Sequence, residues 1–206
     1  MILIGELSLW VALLMAAWTT TVSFSGGMQQ RVDLIRSGER AMYATFGFTL
    51  LASLGIWTAL FTHDFSIKFV ASYTSINLPK IYTFTAFWAG QAGSMLFWAL
   101  ILTLYSAIAV VSNRRANREL MPWVTGTLGI ICLFFLMTMA FGANPYERLD
   151  WIPADGRGMN PQLQNPGMAI HPPMLYLGLV AASSIIRPGV AESGMMREYL
   201  LRHNDP

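Results

Sequence analysis

The sequence predicts an all-α fold: a polytopic membrane helix bundle of four spans and a shorter fifth, with ordered loops on the exoplasmic side. Three observations carry that expectation. Apolar residues make up 54% of the 206-residue chain and charged residues 12%, roughly half the charged share of a soluble domain, and the mean hydropathy is +0.48. Four runs are each long enough, at about 1.5 Å per helical residue, to cross a hydrocarbon core of about 30 Å. Arginines cluster in alternate loops, as they do when basic residues are retained on one side of a membrane. The 13 basic and 11 acidic side chains nearly cancel, so no basic face for nucleic acid is expected.

The first span covers residues 3–24. No Lys or Arg precedes it and its apolar stretch is too long for a cleaved leader, so it is expected to stay as an anchor. Residues 41–62 form the second span, and the loop before it holds Arg31, Arg36 and Arg40. The loop 64–80 mixes β-branched, aromatic and polar residues and ends in Leu78-Pro79-Lys80, a pattern that predicts a short extended stretch on the membrane surface. Residues 90–111 and 124–142 form spans three and four, joined by a loop with Arg114, Arg115 and Arg118. The segment 144–170 contains four prolines, three glycines and three acidic residues. That is too polar for lipid and too rich in breakers for a long helix, so an ordered cap is expected. The fifth span, 168–186, begins around His171-Pro172-Pro173, with prolines acceptable in a first helical turn, and closes at Arg187-Pro188-Gly189. The membrane domain thus runs over 1–187 and a polar tail over 188–206. The arginine distribution puts the N-terminus, the loop 64–80 and the His171 loop on the exoplasmic face and the tail, with Arg187, Arg197 and Arg202, on the other.

Few residues have the chemistry to act. His171 stands where a polar loop meets an apolar helix, and a neutral imidazole there can ligate haem iron while apolar neighbours cover the porphyrin. A histidine that only anchors or caps the helix accounts for the same residues. His63 adjoins Asp64, whose carboxylate could orient the ring, and His203 lies in the tail. With one cysteine, Cys132, and no His pair at i, i+4, the chain has no CxxC pair, no CxxCH haem-attachment site and no zinc or copper cluster. Small residues in Trp88-Ala89-Gly90-Gln91-Ala92-Gly93-Ser94 let a helix or a flat ligand approach closely. Trp88 and Trp151 can wall a flat apolar ligand, and Arg157 and Arg148 can pair with carboxylates, although Glu147, Asp150 and Asp155 are nearer partners in sequence. The span centres carry no charge, which disfavours a pump or ion-coupled transporter.

Three blocks resemble the N-terminal part of the CcmF family, the membrane haem lyase component of cytochrome c maturation. They are Asp64-Phe65-Ser66-Ile67-Lys68-Phe69-Val70-Ala71-Ser72, Trp88 through Trp98, and Asn160 through Gly167 running into His171-Pro172-Pro173-Met174-Leu175-Tyr176-Leu177-Gly178. The resemblance covers about residues 1–180 and departs at Ala92, where the family motif has Glu. It implies that His171 is an axial ligand to haem, the one metal centre expected. It also implies that the haem is shared with a second membrane polypeptide supplying the tryptophan-rich loop and a further histidine, so that the chain is not competent as an enzyme alone. A haem chaperone and apocytochrome c are the implied partners, besides membrane lipid. The implied location is the bacterial inner (plasma) membrane, or alternatively the mitochondrial inner membrane. A non-catalytic structural or adaptor subunit derived from the same family is the alternative.

Overall fold

A computed structural model describes residues 1–113, 118–167 and 169–178. The chain divides into two units, Met1–Ala169 and Ile170–Pro206. The expected tail 188–206, most of the fifth span beyond residue 178, and Arg114 and Arg115 lie outside the described residues.

The first unit is built on four long helices: α1 (Ile2–Gln29), α2 (Val32–Phe61), α5 (Gln91–Asn113) and α6 (Met121–Gly142), with the short helices α3 (Lys68–Tyr73) and α4 (Lys80–Thr85) between α2 and α5. All four long helices are long and apolar enough to cross a membrane. An isolated bridge between Ile67 and Arg148 is the β pairing among the described residues. Successive long helices run antiparallel, so the connections 62–90 and 143–167 meet at one end of the bundle, called the cap end here. The α1–α2 turn and the α5–α6 connection lie at the other, the hairpin end.

Helix α2 starts nine residues before the span expected from hydropathy. Polar residues such as Arg36 and Arg40 lower the hydropathy there without breaking the helix, because arginine is a good helix former. The α1–α2 turn is correspondingly short. Gln30 takes a left-handed conformation (φ 52°, ψ 31°) at the end of α1, Arg31 is extended, and the Arg31 N–H donates to the Gly26 carbonyl at 3.0 Å. A side chain at Gly26 would stand 2.9 Å from the Ile35 nitrogen, so only glycine lets the hairpin close this tightly.

Helix α1 packs chiefly on α2 and α6, and α5 completes the bundle against α2 and α6. The interior mixes Leu9, Met42, Ile56, Leu60, Leu96, Leu136 and Met139 with Ala12, Ala16, Ala52 and Ala59. Small residues at these seams bring backbones close, which is how helices associate where lipid removes the usual hydrophobic drive. Thr45, Thr49 and Ser53 satisfy their buried hydroxyls within their own helix, donating to the carbonyls four residues back at 2.9, 2.8 and 2.9 Å, whereas the hydroxyls of Thr19, Ser23 and Thr125 are buried without a partner. Leu14, Phe134 and Phe141 are exposed on the outside of the bundle, as lipid-facing side chains should be.

At the cap end, the extended stretch expected over 64–80 is replaced by helix. Residues 68–73 coil so that Phe69, Val70 and Ala71 are buried together, a grouping that an extended strand, alternating its faces, does not give. Backbone hydrogen bonds tie this element to the 143–167 connection. Lys68 N–H donates to the Glu147 carbonyl at 2.8 Å, Leu149 N–H to Ser66 at 2.9 Å, Arg157 N–H to Ala71 at 2.8 Å and Gly158 N–H to Thr74 at 3.0 Å. The proline-rich cap is thereby ordered with little helix of its own beyond the 3-10 turn Pro161–Leu163.

Candidate functional site

The cap rests on the bundle through Tyr146. Asn144 Oδ1 accepts the Tyr146 N–H at 2.9 Å, turning the chain back just after α6. The ring, 2% exposed, then enters between α1 and α2 and donates its hydroxyl to the Ala52 carbonyl. Gly5 and Gly55 face one another at this point and leave the ring its space. Burial, and secondarily the Glu6 carboxylate, push the phenol above its usual range. Nothing in the sequence reading singled out Tyr146; the signal was an aromatic residue inside a breaker-rich segment facing two glycines that lie fifty residues apart.

Trp88 sits in the 3-10 turn Ala86–Trp88 that leads into α5. It is committed to internal packing. Its indole N–H donates to the Ala169 carbonyl at 3.1 Å, and its ring stacks on Phe97 at 5.2 Å and meets Phe84 edge-on at 5.4 Å. Trp57 continues the cluster, stacking on Phe87 at 4.3 Å and Phe84 at 5.4 Å. The small residues after Trp88 admit the cap itself: a side chain at Gly90 would collide with Tyr73 and one at Gly93 with Phe69 and the Phe87 carbonyl. The close approach anticipated there is used by protein.

Trp151 and Arg157 both lie on the 143–167 connection. Trp151 is 74% exposed, and Arg157 is exposed with no ion pair among the described residues. The expected pairing of the cap arginines with their sequence neighbours does not occur. Glu147 is taken by Lys68 at 2.8 Å, Arg148 reaches Glu6 at 3.4 Å, and Asp155 Oδ1 accepts the N–H groups of Ile76 and Gly156 at 2.9 and 2.7 Å. Backbone donors and distant side chains compete successfully because the cap folds back on α3.

His63 is likewise not oriented by Asp64. That carboxylate closes a turn on Ser66, accepting from its N–H at 3.1 Å and its hydroxyl at 2.6 Å. The His63 backbone is left-handed (φ 50°), and its Nδ1 is buried without a hydrogen-bond partner. His171 belongs to the second unit, where residues 170–178 are helical and its ring is exposed. Pro172 and Pro173 are helical, but Ala169 and Ile170 before them are helical too, so the pair does not open the helix as the sequence predicts. Among the described residues, no group of three His, Cys, Asp or Glu is placed to hold a metal ion.

A groove of about 230 Å³ opens beside Lys68, Tyr73, Gln91, Ala92, Asn144 and Glu147, below the roughly 300 Å³ at which pockets for drug-sized ligands begin. A second cavity, about 460 Å³, opens along the cap ends of α1 and α2 beside Thr58, Asp64 and Arg148. Neither is lined by Trp88, Trp151 or Arg157.

The model of the cytochrome c assembly protein family matches residues 88–191, just over half the chain. The chain belongs to that family. Trp88, Trp151, Arg157 and His171 all fall inside the matched segment. Among similar members, the cytochrome c-type biogenesis protein ccl1 of Rhodobacter capsulatus is 35% identical over 187 residues, which are 91% of this chain and 29% of that protein. CcmF of Pseudomonas fluorescens is 35% identical over 181 residues, 87% of this chain and 27% of the relative. A solved structure of the cytochrome c haem lyase CcmF superposes with a TM-score of 0.73 at 28% identity, covering 86% of this chain and 28% of that one. The chain therefore spans less than a third of the length of these relatives. The four-helix bundle is a CcmF-type membrane fold.

Proposed function

We propose that the chain works in cytochrome c maturation as a CcmF-like component of a haem lyase, in the bacterial inner membrane with its cap on the exoplasmic side. The observation that carries this reading is the family match over 88–191, which contains Trp88, Trp151, Arg157 and His171. Haem is the substrate. His171 supplies a neutral imidazole to the iron. The protein's part is orientation: it holds haem while reduced thiols of apocytochrome c add across the vinyl groups, the proton of each thiol passing to carbon as the thioether forms. A further polypeptide segment supplies the second axial ligand and closes the site, and a haem chaperone delivers the substrate.

A second reading, a structural or adaptor subunit of a larger membrane complex, draws on the internal commitment of Trp88 and on a cap groove too small for a porphyrin. The test is to purify the membrane complex containing the chain and record its Soret absorbance for wild type and His171→Ala. Loss of the band with an unchanged complex supports the lyase reading. A complex free of haem in both forms supports the adaptor, and a band that survives the substitution removes His171 from the iron.

A further inference from the structure

One face of α2 is exposed at Leu51, Leu54 and Phe61 toward one end and at Arg36 and Arg40 toward the other, with half-buried Tyr43 and Gly47 between. Arg36, Arg40, Gly47, Leu51, Leu54, Thr58 and Phe61 recur at the spacing of a single helical stripe. Leu51, Leu54 and Phe61 are 39, 41 and 46% exposed, and a side chain added at Gly47 would meet nothing within 4 Å. The opposite face, with Met42, Thr45, Thr49, Ala52 and Ile56, is the buried one. This stripe is therefore the one α2 turns to lipid.

The rise of an α-helix fixes the depth of the two arginines. From Phe61 to Arg40 is twenty-one residues, or about 31 Å, one hydrocarbon thickness, and Arg36 lies a further turn, about 6 Å, along the axis. A separate marker gives the same level. Trp18 of α1 donates its indole N–H to Ser37 Oγ at 3.1 Å, which puts an amphipathic ring between Arg36 and Arg40, at the depth tryptophan prefers. Both guanidiniums are exposed, and neither makes an ion pair among the described residues. Of the two acids three residues from Arg36, Glu39 and Asp33, the one nearer the helix start is Asp33. Its carboxylate is held by Arg31 at 2.6 Å and 3.3 Å instead. Glu39 lies on the flank of the stripe.

We propose that Arg36 and Arg40 form a binding site for the headgroup phosphate of an anionic phospholipid, whose acyl chains lie along the face of α2 at Gly47 and Leu51. The two guanidiniums, one turn apart, offer paired N–H donors to one phosphate. Gly47 removes the side chain that would push an acyl chain off the helix. The occupant is a lipid because the charge is continuous with an apolar face: from Arg40 to Leu51 is about 16 Å, roughly the depth of one leaflet, which a free anion does not use.

The test uses the purified chain in nanodiscs of equal phosphatidylglycerol and phosphatidylcholine, with retained lipid counted by native mass spectrometry. Wild type should keep phosphatidylglycerol preferentially. Each arginine removed should lower that preference about fivefold, and Arg36→Gln with Arg40→Gln roughly 25-fold. Arg118→Gln, an exposed arginine on the other connection at the same end, should leave it unchanged. Arg36→Lys with Arg40→Lys keeps the charge but loses the fork and should fall between; this pair serves if the glutamine variant loses helicity by circular dichroism. No preference in wild type, an equal loss in Arg118→Gln, or displacement of the lipid by excess inorganic phosphate would each overturn the proposal.

Discussion

Replacing Gly55 by alanine tests the central packing claim, that the cap is seated by one phenol inserted between two helices. A β-carbon there would stand 2.5 Å from the Tyr146 hydroxyl and 2.9 Å from the Gly5 α-carbon. The first contact could be relieved by withdrawing the ring, at the loss of its bond to Ala52. The second is backbone to backbone and can be relieved only by parting α1 from α2. Overpacking of this kind costs about 1–3 kcal/mol, partly offset by up to ~1 kcal/mol from replacing a helical glycine with alanine. Gly47, on the same helix with nothing within 4 Å of its would-be β-carbon, supplies the reference: there alanine should be neutral or stabilising by up to ~1 kcal/mol. Unfolding in mixed micelles with increasing dodecyl sulfate, followed by far-ultraviolet circular dichroism, measures both. The expected order is Gly47→Ala at or above wild type and Gly55→Ala below it by about 1–2 kcal/mol. If the two variants shift together, the helices are not in contact at Gly55 and the seating of the cap is wrong.

Four further outcomes follow from the same geometry. Tyr146→Phe should lose about 0.6–1.5 kcal/mol, the value of one hydrogen bond in a membrane protein, in the same unfolding assay. Because the buried phenol is held above its ordinary pKa, its contribution is complete below about pH 10 and falls as the pH rises beyond the unfolded value; stability measured against pH should drop more steeply there for wild type than for Tyr146→Phe. Glu147→Gln breaks an ion pair whose partners are 53 and 55% exposed, so its cost should stay under about 1 kcal/mol and vanish in high salt. Trp88→Phe removes the donor to Ala169 while Tyr82 still donates to Gln164 at 3.0 Å; hydrogen exchange should rise roughly tenfold near Ala169 and little at Leu163.

The spans were legible because lipid imposes one simple demand, a sufficiently long apolar helix, and residues 3–24, 90–111 and 124–142 satisfy it with few interruptions. Where the demand is shared with another, the pattern blurs. The first turns of α2 carry Asp33, Arg36, Glu39 and Arg40, which hydropathy reads as loop although nothing in them opposes a helix; only the left-handed Gln30 and the closeness allowed by Gly26 show that the chain has already turned. The stretch 64–80 departs from its expected extended form for the opposite reason. Val70 and Phe69 favour strands in isolation, but their burial against the bundle, beside Gly93, decides the conformation, and that is information carried by residues more than twenty positions away. The same holds for the arginines. Proximity in sequence offers Glu147, Asp150 and Asp155 to Arg148 and Arg157, whereas the fold gives Glu147 to Lys68, Arg148 to Glu6, and Asp155 to two backbone N–H groups. A residue that sequence had balanced by a neighbour, Arg157, is thereby left with its charge available. The two regions differ in cause: at the cap, Glu147 goes to a partner the fold brings close, Lys68, whereas Asp33 pairs with Arg31, its neighbour two residues away, and so leaves Arg36 without it.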